Sequence, residues 1–239
     1  MERHQFTLLH DMENSWWYKG RSVVLTGILK RMPIAFETLD FGAGFGGMFP
    51  MLARFSKRVS AFEPDFEANS ELKRRGYERV YPTTDEALAT QYDLIGFFDV
   101  MEHIKGDKTF LTQIKKSLTP NGKILLTVPA YQWLWSQLDV EGHHERRYTK
   151  RKLIQMLQEA GYKIDFASYW NVFLFPVAAV IRLSGSIGES GLGLPTPINA
   201  FFLALIRIEA FLMHIFPLPF GLSIVVLASP RQSDSSALL

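Results

Sequence analysis

The sequence predicts an α/β fold: a mostly parallel sheet with helices on both faces and an apolar helical insertion near its C-terminal end. Three observations predict it. Strand and helix signals alternate with short connections along most of the 239 residues. One early apolar run turns sharply through Thr-Leu-Asp-Phe-Gly-Ala-Gly-Phe-Gly-Gly-Met at 38–48, as a buried strand does when it enters a helix around a ligand. And about fifty apolar residues, rich in Phe and Leu, separate the last strand signal from the one before it.

The elements follow in order. Residues 6–31 read as a helix with Trp16, Trp17, Val24 and Leu25 as apolar positions, so 1–37 forms a helical cap. Strand signals fall at 38–41, 59–62, 80–81, 94–98, 123–128, 163–169 and 222–228. Helical segments lie between them at 48–55, 66–75, 110–118 and 150–160. Pro120-Asn121-Gly122 reads as a turn between helix and strand. Thr149 can cap the helix that begins at Lys150, and Gly161 stands where a helix C-cap glycine belongs. The core is then 38–169, the insertion 170–220, the final strand 221–231, and the polar tail 232–239 reads as disordered.

Composition narrows the classes. The formal net charge of +2 argues against a nucleic-acid binder, and the absence of cysteine excludes disulfides and thiolate metal sites. Met1 to Asn14 shows no signal-peptide pattern. A cytoplasmic protein is expected, with contact at the inner face of the membrane left open. A hydropathy window flags 198–229, but Arg207, Glu209, Pro217, Pro219 and Gly221 interrupt it, so a spanning helix is not expected. The two helical candidates of the insertion, 172–183 and 198–216, are apolar on most faces. Helices of that kind are buried, cover a greasy substrate, or lie in a bilayer interface. Asn199, Arg207 and His214 form a polar stripe on the second of them, suited to headgroups or to a polar pocket.

The glycines admit two readings. Gly42, Gly44 and Gly47 satisfy the G-x-G-x-x-G of dinucleotide sites; Gly42, Gly44 and Gly46 satisfy G-x-G-x-G. The neighbours favour the second. Asp40, at the strand end, can accept from an amino group and would repel a pyrophosphate, while Glu63 can take two ribose hydroxyls. Asp99, Glu102 and His103 follow the fourth strand, at the sheet edge where open α/β sheets bind ligands.

Asp-Phe-Gly-Ala-Gly-Phe-Gly, Phe-Glu-Pro-Asp, Asp-Val-Met-Glu-His-Ile and Leu-Thr-Pro-Asn-Gly-Lys-Ile-Leu-Leu-Thr-Val-Pro, in this order between 38 and 165, resemble the successive motifs of class I S-adenosylmethionine-dependent methyltransferases. The resemblance implies a Rossmann-like sheet of seven strands with the last one antiparallel. It implies S-adenosylmethionine as cofactor, held by Asp40, Gly42, Gly44, Gly46, Glu63, Pro64 and Asp99. The chain departs from the family after the third strand, where Thr83-Thr84-Asp85 replaces a Gly-Asp pair; Asp85, ahead of Thr84, is the candidate for the adenine amino group. Ser-Trp-Trp-Tyr-Lys-Gly-Arg at 15–21 resembles the aromatic pair and Arg of a related subgroup. By that likeness Trp17, Tyr18 and Arg21 close over the cofactor; the plain alternative is that Trp16 and Trp17 anchor the helix and Arg21 is solvated.

Residues 128–148 begin at the active-site edge and are dense in aromatics, then in His and Arg. Pro129-Ala130-Tyr131 through Trp135, then His144 to Thr149, are similar to a bacterial subgroup associated with surface-polysaccharide and lipid-linked chemistry. Tyr131, Trp135, Arg146, Arg147 and Tyr148 are the candidate acceptor-binding residues, and the guanidinium pair suits an acidic acceptor unless it is bound to Glu141 or Glu145. Methylation of an oxygen needs its proton removed, and His144 and His103 are the candidate bases. His143 and His144 with Asp139 or Glu141 match no established ligand spacing, so no metal is expected.

The leading expectation is methyl transfer to an oxygen of a small-molecule or lipid-linked acceptor, with 170–220 serving as lid, dimer interface or membrane-contact surface. An NAD-dependent oxidoreductase and a peripheral membrane module with a vestigial cofactor site are the competing readings.

Overall fold

The computed structural model describes residues 15–183 and 196–231. Its strands are β1 Ala35–Phe41, β2 Ser56–Phe62, β3 Val80–Tyr81, β4 Tyr92–Phe98, β5 Leu118–Pro129, β6 Tyr162–Trp170 and β7 Ser223–Pro230. They form one seven-stranded sheet in the order β3-β2-β1-β4-β5-β7-β6. The pairs from β3 to β5 are parallel, and β7 lies antiparallel between β5 and β6. The helices are α1 Trp16–Leu29, α2 Phe49–Leu52, α3 Phe66–Arg75, α4 Thr84–Leu88, α5 Asp107–Ile114, α6 Gln137–Glu141, α7 Lys150–Glu159, α8 Phe175–Leu183 and α9 Thr196–Leu212.

Strand periodicity sorts the core into two layers. On β7, Val225 and Leu227 join Leu25, Leu52, Trp170 and Ile206 on one face of the sheet. Ile224, Val226 and Ala228 join Leu39, Phe97, Leu111 and Leu153 on the other. Neighbouring residues of one strand thus serve opposite cores. Truncating a fully buried leucine such as Leu39 to Ala costs about 2–5 kcal/mol by lost transfer energy and cavity.

Local signals account for the helix ends. Ser15 caps α1 by accepting from the Tyr18 amide, so the helix expected over 6–31 starts at Trp16 within the described region; residues 6–14 lie outside it, as do 184–195 of the insertion and the tail 232–239. Thr149 caps α7 by accepting from the Lys152 amide, and Gly161 follows that helix at φ 89°.

Two expectations need correction. Pro120-Asn121-Gly122 is no free turn: it lies inside β5, where the register jumps from the Tyr92–Leu118 pair to the Leu94–Lys123 pair. Turn-forming residues here make an irregularity that the neighbouring strand stitches into the sheet. Two members of the polar stripe on the second insertion helix, Asn199 and His214, lie against α1, while the exposed Arg207 lines a cleft with Tyr18 and Ser22. Asn199 accepts from the Trp16 amide, and the His214 ring lies against Gly27. Ile206 occupies the space a Cβ at Gly20 would need, so Gly20 and Gly27, two helical turns apart, let the helices come close.

Candidate active site

The strand order reverses between β1 and β4, which lie side by side with Asp40 opposite Gly96. The connections from their carboxyl ends lead to opposite halves of the sheet, toward β2 and toward β5, and so open a crevice there.

The loop leaving β1 takes positive φ at Gly42, Gly44 and Gly46, at 73°, 54° and 80°; Gly47 is not among them. The backbone therefore bends at the G-x-G-x-G positions. A Cβ at Gly46 would come within 2.8 Å of the Tyr77 ring, whereas one at Gly44 would meet nothing within 4 Å and would project into open crevice. Glu63 at the end of β2 reaches this loop: its carboxylate accepts from the Gly44 amide at 2.7 Å and the Asp65 amide at 3.0 Å. Asp40 is buried and accepts from the Tyr77 hydroxyl at 2.5 Å. Burial pushes its carboxyl up to about 6, against the pull of Tyr77 and Arg21 and with a further push from Glu63. Tyr77 carries no motif signal; it follows the α3 C-cap Gly76 and reaches Asp40 only through the fold.

Arg21 projects from α1 into the same crevice. Its guanidinium lies 4.5 Å from the centre of the Tyr18 ring and donates to Asp99 at 2.5 Å, while its buried Nε has no partner among the described residues. It is not the solvated arginine of the plain alternative, being 4 % exposed. Trp17 packs on Trp170 at 5.0 Å and Trp16 on Phe202 at 5.4 Å, which anchors the helix. Beyond β3, Thr83 caps α4; Asp85 stands exposed in its first turn, with Thr84 half-buried, and Pro64 is exposed at the head of α3.

The far rim is built from β4 and the segment after β5. Asp99 holds a left-handed φ of 59° and accepts from both Arg21 and Thr127. Such a conformation costs a non-glycine residue on the order of 1 kcal/mol and is kept where surrounding bonds enforce it. Glu102 is fully buried, and neither carboxylate oxygen has a partner among the described residues. Burial and then the Asp99 charge hold its pKa well above the usual carboxylate range. His103 and His144 meet edge to face at 4.8 Å, and burial followed by the neighbouring imidazole lowers His103. His144 Nδ1 bonds Asp139 at 2.9 Å. Burial would raise Asp139, but His144, Arg147 and the Ser136 amide outweigh it and hold the carboxylate ionised.

Three expected acceptor residues are placed otherwise. Arg147 grips Asp139 with Nε at 2.7 Å and a second nitrogen at 2.9 Å. Arg146 binds Asp107 at 2.9 Å, and the buried Tyr148 hydroxyl bonds Asp107 and the Met101 carbonyl. Both guanidiniums are satisfied by carboxylates of the chain itself, Asp107 and Asp139 rather than Glu141 or Glu145, because the fold turns them inward. Neither is an open fork for an acidic acceptor. Tyr131 sits in an aromatic belt, stacked on Tyr169 at 5.3 Å and next to Trp133 and Phe175, with Phe220 beyond. Half-exposed Trp133 belongs to this belt; it lies within the aromatic segment that the sequence singles out, where Trp135 rather than Trp133 is the candidate.

The insertion borders this belt. α8 exposes Val177 and Val180, and α9 buries Ile206, Glu209 and Ala210 while exposing Phe201, Ile208 and Phe211. Glu209, read in the sequence as an interruption, accepts from the Asn171 and Phe173 amides at 2.6 and 2.9 Å and so clamps the turn between β6 and α8. No helix among the described residues is long and apolar enough to cross a membrane. The cleft of about 270 Å³ lined by Tyr18, Ser22, Gly47, Leu203 and Arg207 opens beside the glycine loop; Asp40, Glu63 and Asp99 do not line it.

The crevice fits a cofactor with an amino-acid end and a ribose. Asp40 could accept from an ammonium and Glu63 from ribose hydroxyls, the unpartnered Arg21 Nε could donate to a carboxylate oxygen, and Gly44 leaves room for close backbone approach. Fold and crevice together define a class I S-adenosylmethionine-dependent methyltransferase. A family model described as a methyltransferase domain matches residues 25–165, and the chain belongs to that family. A probable S-adenosylmethionine-dependent methyltransferase of Mycolicibacterium smegmatis is 24% identical over 164 residues, which cover 64% of this chain and 62% of that relative. Among solved structures, the S-adenosylmethionine-dependent methyltransferase of Clostridium acetobutylicum superposes with a TM-score of 0.55 at 13% identity, over 89% of this chain and 91% of the other. The plantazolicin methyltransferase BpumL, solved in complex with SAH, gives 0.60 at 10% identity over 97% and 92%. At such identities the likeness speaks for the fold. The dinucleotide reading is not favoured.

Proposed function

We propose that the chain methylates an oxygen of a lipophilic or lipid-linked acceptor, and that residues 170–220 touch a membrane surface from which such an acceptor is drawn. One observation carries this reading: the aromatic belt of Tyr131, Trp133, Phe175 and Phe220 runs from the segment after β5 onto α8, which exposes Val177 and Val180. An acceptor that lies along such a surface contributes apolar contact at the belt and presents its polar end to the rim. An acidic group on the acceptor has lost its support, since Arg146 and Arg147 are bound to Asp107 and Asp139.

S-adenosylmethionine supplies a methyl group on a positively charged sulfur. Asp40, Glu63 and Arg21 orient it, and Gly44 leaves room for it. The acceptor oxygen must lose its proton, and His103 and His144 are the groups at the rim that handle that loss. Overall, the acceptor O–C bond forms, the S–C bond breaks with its electron pair staying on sulfur, and one proton is released.

The test is methyl transfer from labelled S-adenosylmethionine into total lipid and soluble extracts, with flotation on liposomes alongside. Label in the organic phase, and flotation weakened by Phe211→Ser, support the proposal. Label confined to the aqueous fraction refutes the lipophilic acceptor.

A further inference from the structure

Glu102 and His103 lie about forty residues from His144 in sequence, yet one donor atom from each comes within 4.8 Å of the other two. The Glu145 amide donates to the Glu102 carbonyl at 2.8 Å and ties the two segments together at this point. The Glu102 carboxyl is fully buried and both of its oxygens lack a partner among the described residues. A carboxylate taken out of water needs a cation or hydrogen-bond donors, and here the fold supplies neither directly. His144 is oriented from behind: Nδ1 is tied to Asp139, which Arg147 and Ser136 hold in place, so Nε2 is the nitrogen left to donate. Carboxylate–imidazole pairs of this kind orient the histidines of metal sites. Gly142 keeps that nitrogen uncovered, since a Cβ there would come within 3.0 Å of it.

We propose that Glu102, His103 and His144 hold a divalent first-row transition cation, zinc or manganese in chemical class, at the acceptor rim of the crevice. Two imidazoles and one carboxylate leave coordination positions for an acceptor hydroxyl, and this donor set suits such ions better than magnesium. The exposed His103 ring must turn inward, because donors about 2.1 Å from one ion stand roughly 3.4 Å apart in a tetrahedral site.

The role of the ion, though not its binding, rests on the proposed methyl transfer. An acceptor hydroxyl bound to the ion gives up its proton to water more readily, and its oxygen then attacks the methyl carbon. The imidazoles then act as ligands, and the ion takes over the handling of the proton.

The test is calorimetry on chelator-treated protein, with zinc, manganese and magnesium salts titrated in turn. One equivalent of zinc or manganese should bind, with weaker or no heat from magnesium. Glu102→Gln and His144→Gln should each weaken binding at least tenfold. His143→Gln, whose side chain is outside the cluster, should bind as the unaltered chain does. Cobalt added in place of zinc should give visible absorption that Glu102→Gln abolishes. No binding of zinc or manganese by a chain that still melts cooperatively and binds S-adenosylmethionine overturns the proposal, and so does metal binding that survives both substitutions. Metal binding without methyl transfer to any extract leaves the site standing and removes the enzymatic reading. Transfer at full rate in chelator removes the role assigned to the ion.

Discussion

The two sides of the crevice differ in how their polar groups are kept. On the cofactor side most groups already have a partner: Asp40 with Tyr77, Glu63 with the Gly44 amide, and Arg21 with Asp99 of the facing rim, though its Nε lacks one among the described residues. On the acceptor side, Glu102 is buried with none among the described residues, and large apolar side chains stand in water. A site whose groups satisfy each other is preformed, and its ligand exchanges one set of hydrogen bonds for another. A site with orphan groups and bare apolar surface is stable only at a cost that a ligand removes.

The comparison can be broken in four places, taken from the largest effect. Gly44→Val puts a branched side chain into the open crevice at a φ of 54°. Loss of S-adenosylmethionine binding by about a hundredfold or more is expected in calorimetry, with only about 1–2 kcal/mol lost from the fold in urea unfolding. Binding near the unaltered level would mean the loop is not the cradle.

Glu209→Ala strands the buried Asn171 amide and the part-buried Phe173 amide that the carboxylate now serves. About 2–4 kcal/mol of stability should go, read from the urea midpoint, while cofactor affinity holds. A loss of cofactor affinity as well would mean that the two sides are not separable.

Asp40 gives the pH test. Its folded pKa of about 6 lies above the ordinary aspartate value of 3.8, so folding takes up a proton between these values. The stabilisation is complete below about pH 4 and is lost as pH rises through 6, about 2–3 kcal/mol across that window. Cofactor affinity should run the other way, rising with pH through 6 as the carboxylate ionises. Asp40→Asn should flatten both profiles, and a profile left unchanged would assign them to another group.

Trp133→Ala is the smallest. The ring is half-exposed, so stability should shift by less than about 0.5 kcal/mol. Transfer to a lipophilic acceptor should fall several-fold through KM, with kcat held; an unchanged KM would take the belt out of acceptor binding.

The same contrast explains what the sequence disclosed. The cofactor side is local: Asp40, the glycines and Glu63 sit within one strand–turn–helix–strand unit, and strand periodicity with glycine punctuation spells it out. Seven strands with the last antiparallel are what the family resemblance of those motifs implies, and the sheet has both. The acceptor side is assembled across long separations. Nothing near Arg146 in the chain marks the distant Asp107 as its partner, and Tyr77 meets Asp40 only once α3 has turned back. Pro120-Asn121-Gly122 misleads for the opposite reason: its local turn preference is real, but pairing with β4 overrides it. The apolar composition of 198–216 fits bilayer and protein contact alike; the glycines on α1 that receive it lie far away in sequence.

Arg21 and Gly20 are adjacent on α1, one reaching the crevice and the other receiving Ile206 of α9. That helix is a party wall between two compartments, so neither can be rebuilt alone. Grafting a different insertion onto this scaffold, to change which molecules it modifies, would require recutting the N-terminal helix in the same step.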